Sequence, residues 1–238
     1  MIKKVVISAA GRGTRMGKLT DDKPKHLLEI AGQPFLYYLL HRLEAAGFSE
    51  MIMVVGYKKE AFNDFIKKYP FNLKIVDQHE MCGDDYGTAI PIKAVKNLIG
   101  QENFVSVAGD NLYSVRDLKK SQKEDKLNYI GGLKVNDGGR FGHLEVDGRG
   151  FLQDIKEKPE NISPGERIIN CSLYKFTPEI FGAIDRIGLS PREEYEITEA
   201  ITYLAEERKV KLIELEDFWL DFGRPEDIEK LAKHLREK

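Results

Sequence analysis

Hydrophobic positions along this chain follow two rhythms. Short Val- and Ile-rich runs read as buried strands: Lys3 to Ala10, Met51 to Val55, Leu73 to Val76 and Asn103 to Val107. Between them, apolar residues recur at helical spacing. Pro34 to Ala46 carries Phe35, Leu36, Leu39, Leu40 and Leu43 on one stripe, and Gly47 ends it. Lys58 to Lys68 and Thr88 to Ile99 read as two further helices. Strands alternating with helices predict a parallel sheet covered on both faces. The second half is more mixed. Tyr129 to Val135, Phe141 to Val146 and Gly150 to Glu157 read as strands joined by Gly-rich turns. Ile168 to Phe176 is another strand, Thr198 to Glu207 a helix, Lys211 to Leu215 and Phe218 to Asp221 strands, and Glu226 to Arg236 a last helix. The expected fold is α/β and Rossmann-like, with a mostly parallel central sheet and a small mixed lobe. No repeat or low-complexity linker divides the chain, so one domain over residues 1–238 is expected.

Composition narrows the partners. The chain has 238 residues, 42% of them hydrophobic, which allows a sizeable core. Charged residues make up 32%, mixed in sign, with a net charge of −2. That balance gives no reason to expect a nucleic-acid partner, which usually calls for a basic face. Local Lys and Arg residues can still hold an anionic small molecule. Cys82 and Cys171 form no CxxC pair and are expected to be free thiols. No signal peptide is visible, and no apolar run approaches the ~20 residues that span a bilayer. A cytoplasmic protein without a membrane partner is the expectation.

The first candidate chemistry follows the first strand. Ala9-Ala10-Gly11-Arg12-Gly13-Thr14-Arg15-Met16-Gly17 is a Gly-rich turn. Such a turn lets backbone N–H groups approach phosphate oxygens with no Cβ in the way, and Arg15 can add a bidentate contact. A tight strand-to-helix turn is the plain alternative. The spacing, G-x-G-x-x-x-G with no long helix opening at the loop, departs from the dinucleotide fingerprint. A Walker loop is excluded, since no Gly-Lys-Ser/Thr follows. Lys23-Pro24-Lys25 adds basic residues on a restrained backbone. Asp110 lies just past a strand, where open α/β sheets bind ligands; a cap or turn aspartate reads equally well. Asp221 is an acid in an apolar run, costly to bury unless paired or metal-bound.

These segments together resemble the sugar-1-phosphate nucleotidyltransferases, the group of glucose-1-phosphate thymidylyl- and uridylyltransferases. The signature residues are Ala9 to Arg15, Lys23-Pro24-Lys25 and Leu28-Glu29-Ile30-Ala31-Gly32-Gln33-Pro34. Further matches are Gly87-Thr88-Ala89, Gly109-Asp110, Glu157-Lys158-Pro159, Asn170 in an N-x-G-x-Y element, Tyr195 to Glu199, and Trp219-Leu220-Asp221-Phe222-Gly223. The resemblance implies that the loop, through Ala10, Gly11, Gly13 and Thr14, wraps a nucleoside triphosphate. It implies that Arg15 and Lys25 contact the phosphates during transfer, and that Asp110 and Asp221 hold Mg²⁺. It places Gln78, Gly87 and Thr88 at the nucleotide, and Glu157, Lys158, Asn170 and Glu196 at the sugar phosphate. Glu157 and Lys158 also suit a solvated edge, and Glu196 a helix cap. Two departures stand out: Ser172 replaces the glycine of N-x-G-x-Y, and Met16-Gly17-Lys18-Leu19 replaces the Leu-x-Pro of many glucose-1-phosphate enzymes. Residues up to about 115 would form the nucleotide half, and residues from about 116 the sugar-phosphate half.

The expected reaction is transfer of a nucleotidyl group, from dTTP or UTP by preference, to a sugar-1-phosphate, with glucose-1-phosphate favoured. A cytidylyltransferase acting on another phosphorylated alcohol is one rival. A non-catalytic nucleotide-sugar sensor is a second, and a dinucleotide-dependent oxidoreductase a third. The resemblance also allows a homo-oligomer.

Overall fold

The computed structural model describes residues 1–136, 139–156 and 165–237. Strand β1 (Lys4–Ala9) leads through a 3-10 turn over Thr14–Thr20 to the short pair β2 (Glu29–Ile30) and β3 (Gln33–Pro34). Then come α1 (Phe35–Ala46), β4 (Glu50–Val55), α2 (Ala61–Lys68), β5 (Leu73–Asp77), α3 (Gln78–Cys82), α4 (Ile90–Ala94) and α5 (Lys96–Ile99). Next are β6 (Phe104–Ala108), β7 (Asn111–Tyr113), α6 (Val115–Lys120), β8 (Asn128–Val135), β9 (His143–Val146) and β10 (Leu152–Lys156). The chain continues with β11 (Arg167–Phe176), α7 (Glu179–Ile184), α8 (Ile197–Glu206), β12 (Val210–Glu214), β13 (Trp219–Asp221) and α9 (Asp227–Arg236).

The main sheet runs β10-β9-β11-β6-β1-β4-β5, with β8 pairing both β11 and β12. Strands β6, β1, β4 and β5 pair in parallel, as the alternating pattern predicts. Strand β11 then joins β6 antiparallel and carries the sheet into the mixed second half. Both faces are covered. Val5 and Ile7 of β1 pack with Met51, Met53 and Val55 on one side, while Val6 packs with Ile52 and Val54 on the other. That double burial is why these strands read as continuous apolar runs rather than alternating ones. Strand order reverses between β1 and β6, so the loops leaving their carboxyl ends diverge and open a crevice between them.

Several short elements differ from expectation. The helix expected over Thr88 to Ile99 is two helices, broken at Val95 with φ −100° and ψ 4°. Val95 is fully buried, so tertiary packing overrides the helical rhythm there. Strand β7 and helices α3, α6 and α7 were not expected; each is too short for periodicity to declare it. Helix α3 depends instead on its cap, in which the Asp77 side chain accepts from His79 N–H at 2.9 Å.

Helix α6 carries a buried carboxylate that shapes the second half. Ser114 and Asp117 cap one another, the serine hydroxyl donating at 2.9 Å and accepting the Asp117 N–H at 3.0 Å. The same carboxylate accepts the N–H groups of Glu216 and Asp217, both at 3.1 Å, and Lys120 lies 3.0 Å away. Asp117 thus ties the turn before β13 to helix α6. Burial opposes its charge, but these donors hold its carboxyl below the usual range. Stability from a depressed carboxylate is present above the unfolded pKa and is lost as pH falls through the folded one. Asp117→Ala is expected to cost about 3 kcal/mol, because it strands buried donors. Urea unfolding at pH 7 and pH 3 checks this. The gap between parent and variant should narrow in acid.

Candidate active site

A cleft of about 590 Å³ opens at the carboxyl ends of β1 and β6. Its floor includes Ala10, Gly11, Gly13, Thr14 and Arg15 from the loop after β1. Gly13 adopts φ 66°, which turns the chain back toward the sheet. The loop is pinned rather than free. Thr20 Oγ1 donates to the Gly13 carbonyl at 3.2 Å and the Gly17 carbonyl at 3.1 Å, and the Tyr57 hydroxyl donates to Thr20 O at 3.1 Å. The Arg15 side chain is exposed, lines the cleft, and has no hydrogen-bond or ion-pair partner among the described residues. Lys25 is buried, with its ammonium on the Asp110 carboxylate. His26 beside it is kept neutral, its pKa pushed down to about 3 by burial and by the Lys25 charge.

Two carboxylates meet in this cleft. Strands β7 and β13 form a separate antiparallel ribbon that sets Asp221 opposite Asn111. Asn111 Nδ2 donates to Asp110 Oδ1 at 3.0 Å and lies 3.3 Å from Asp221 Oδ1. The amide is oriented by Trp219, whose Nε1–H donates to Asn111 Oδ1 at 2.6 Å. Burial and the adjacent Asp110 push the Asp221 carboxyl up to about 6, although Arg140, 3.1 Å away, opposes the rise. For Asp110, burial is outweighed by the charge and hydrogen bond of the Lys25 ammonium, and its pKa is lowered. Two acids placed so that one raises the other's proton affinity suit a shared cation with oxygen ligands. No cluster of three or more ligating side chains forms among the described residues, so a metal here would draw its remaining ligands from substrate and water.

The opposite wall joins two segments distant in sequence. Tyr195 N–H donates to Tyr86 O at 2.9 Å, and Ala89 N–H to Tyr195 O at 3.0 Å. Gly87 makes this closeness possible, since a Cβ there would lie 2.3–2.8 Å from the Tyr195 backbone. Thr88 Oγ1 accepts the Ile197 N–H at 2.9 Å, capping the start of α8. Gln78 is buried in the same wall, and its Oε1 has no partner among the described residues. Glu196 pairs bidentately with Arg192 at 3.1 and 2.7 Å. Asn170 donates to the Tyr174 hydroxyl at 3.0 Å and accepts the Ser172 N–H at 3.0 Å.

The chain as a whole matches a known family. The description of the nucleotidyl transferase family matches residues 4–238. The chain belongs to the nucleotidyl transferase family. It is 33% identical to the bifunctional protein GlmU of Methanocaldococcus jannaschii over 98% of its own length and 54% of that protein's. It therefore spans about half of that relative. It is also 32% identical to the UTP–glucose-1-phosphate uridylyltransferase AglF of Haloferax volcanii, covering 99% of this chain and 97% of AglF. A solved UDP-glucose pyrophosphorylase in complex with UDP-glucose superposes with a TM-score of 0.83 at 21% identity, over 100% of this chain and 99% of that one, which shows a shared fold. The expected α/β, Rossmann-like architecture holds.

Within this family member, the cleft gathers Ala10, Gly11, Gly13, Thr14, Arg15, Lys25, Gln78, Gly87, Thr88, Asp110, Asn170, Glu196 and Asp221. Glu157 and Lys158 lie outside the described residues. Among the cleft residues that were not expected are Asn111, Arg140 and Arg192, and Trp219 as an orienting group. Arg192 had a signal in its i, i+4 spacing to Glu196. Arg140 had none, because its partners Asp221 and Asp227 arrive from far along the chain.

The raised Asp221 carboxyl yields a stability test. With chelator present, the folded protein takes up a proton near pH 6, while the unfolded chain waits until near pH 3.8. Stability from this group therefore rises as pH falls from 7 toward 5. Asp221→Asn mimics the protonated form, so it should be about 2 kcal/mol more stable than the parent at pH 7 and should flatten that slope. Chemical denaturation across pH 5–7.5 measures both. A destabilised variant at pH 7 would contradict the arrangement.

Proposed function

We propose that the protein is a magnesium-dependent sugar-1-phosphate nucleotidyltransferase. Its favoured substrates are dTTP or UTP and glucose-1-phosphate, and its products a nucleotide-sugar and pyrophosphate. One observation carries this reading: a Gly-rich loop whose Arg15 has no partner among the described residues faces two mutually repelling carboxylates across a single cleft. Residues up to about 115 supply the nucleotide side and later residues most of the sugar side. A cytoplasmic location fits, and among the described residues no helix is long and apolar enough to cross a membrane.

The chemistry asks for little beyond placement and charge control. An oxygen of the sugar phosphate attacks the α-phosphorus. The bond from that phosphorus to the bridging oxygen breaks, and pyrophosphate departs with the electron pair. The nucleophile is already ionised, so no protein base is needed. Backbone donors of Gly11 to Thr14 bind the triphosphate, and Arg15 is free to follow charge onto the leaving group. Asp110 and Asp221 would hold Mg²⁺, which when bound neutralises phosphate charge and favours in-line geometry. Lys25 lies beside Asp110 and can turn to a phosphate oxygen once the carboxylate has another cation. Gln78 Oε1 offers an acceptor for an N–H of the base, such as N3–H of uracil or thymine. Glu196 and Asn170 stand on the sugar side, with Glu157 and Lys158 assigned there by their motif.

Pyrophosphate release across a panel of nucleoside triphosphates and phosphorylated sugars and alcohols tests the assignment. Turnover should need a sugar-1-phosphate and stop in excess chelator. Preference for CTP with a non-sugar acceptor would favour a cytidylyltransferase instead, and silence with every pair a sensor. Arg15→Ala should lower kcat by about 10²–10³ with much smaller loss of nucleotide affinity, since its contact strengthens as charge moves. Arg15→Lys should recover part of the rate, because a point charge lacks the planar fork. Steady-state kinetics beside calorimetry separates these effects. A variant losing only nucleotide affinity would make Arg15 a ground-state anchor.

A further inference from the structure

Ser172 occupies a backbone conformation that a side chain resists. Its φ is 51°, in the left-handed region where glycine is the ordinary occupant. Both ends of the residue are clamped there. Asn170 Oδ1 accepts its N–H at 3.0 Å, and the hydroxyl of fully buried Tyr113 donates to its carbonyl at 2.9 Å. The β11–β8 register shifts between Asn170 and Tyr174, so Ser172 lies within an irregularity of the strand. Such irregularities re-aim the side chains they contain. Ser172 lines the cleft, and its hydroxyl has no hydrogen-bond partner among the described residues.

We infer that Ser172 determines sugar specificity, its hydroxyl exchanging a hydrogen bond with a ring hydroxyl of the bound sugar phosphate. This rests on the nucleotidyl-transfer reading above. Strain of this kind persists only where the surroundings over-determine it, and it concentrates at ligand sites. Here the determining contacts are visible, and they leave one polar group over. The amide of Asn170 is engaged with Ser172 and Tyr174, so Asn170 shapes the bend while Ser172 presents the available group. A serine hydroxyl both donates and accepts, which complements a sugar hydroxyl that does the same.

Two variants of the full chain test this, with the best sugar-1-phosphate and its single-deoxy analogues as probes. Ser172→Ala removes the hydroxyl alone. Its kcat/KM for the parent sugar phosphate should fall about tenfold, while the nucleotide KM stays within about twofold. One deoxy analogue, lacking the partner hydroxyl, should be turned over equally by variant and parent protein. Ser172→Gly relieves the left-handed strain, so its Tm should not fall, yet it should lose the same discrimination. It carries the test if the alanine variant folds poorly. Unchanged sugar discrimination in an active glycine variant overturns the proposal alone. A parent protein that releases no pyrophosphate with any pair overturns the transfer reading, and the proposal with it.

Discussion

A single side-chain amide bridges two carboxylates that repel one another, and the cleft is organised around that contact. Asn111 offers hydrogens to both Asp110 and Asp221, and Trp219 fixes which end of the amide faces them. The arrangement needs the β7–β13 ribbon, which sets Asp221 opposite Asn111. The ribbon in turn needs the turn before β13, which the buried Asp117 carboxylate ties to helix α6. A chain of ordinary hydrogen bonds thus ends in a site with unusual electrostatics. Low-dielectric surroundings make each link in such a chain costly to leave unmade.

The opposite wall solves a different constraint. Residues Tyr86 to Ala89 and Tyr195 to Ile197 are bonded together, with Thr88 capping helix α8. The absence of a side chain at Gly87 permits that approach. The segment bearing Gly87 and Thr88 and the segment bearing Glu196 are therefore tied together. The proposed transfer, which would gain most of its rate from placing two substrates in line, would benefit from such a tie.

Much was legible in the order of residues. The doubly buried strands β1, β4 and β6 announce themselves as Val/Ile runs, because each must satisfy apolar layers on both sides. The loop from Gly11 to Gly17 is readable because local backbone geometry demands glycine, whatever the rest of the chain does. Asp110 and Asp221 are identifiable from their motifs, and Asp221 also from its apolar surroundings. Local chemistry of this kind needs no partner to be recognised.

Other features depend on residues that meet only when the chain has folded. The break at Val95, the β7–β13 ribbon and the pairing of Arg140 with Asp221 and Asp227 arise from long-range packing, which leaves no periodic trace. Ser172 looks like a mild departure from a glycine motif when read in line; its left-handed backbone and its available hydroxyl emerge from Tyr113 and Asn170 closing on it. Sequence by itself determined the doubly buried strands, the Gly-rich loop and the family, since those rest on short-range patterns. The protonation of Asp221, the orientation of Asn111 and the coupling of the two walls were decided by tertiary structure alone, because each is an energy between groups about 80 or more residues apart along the chain or set by their shared burial.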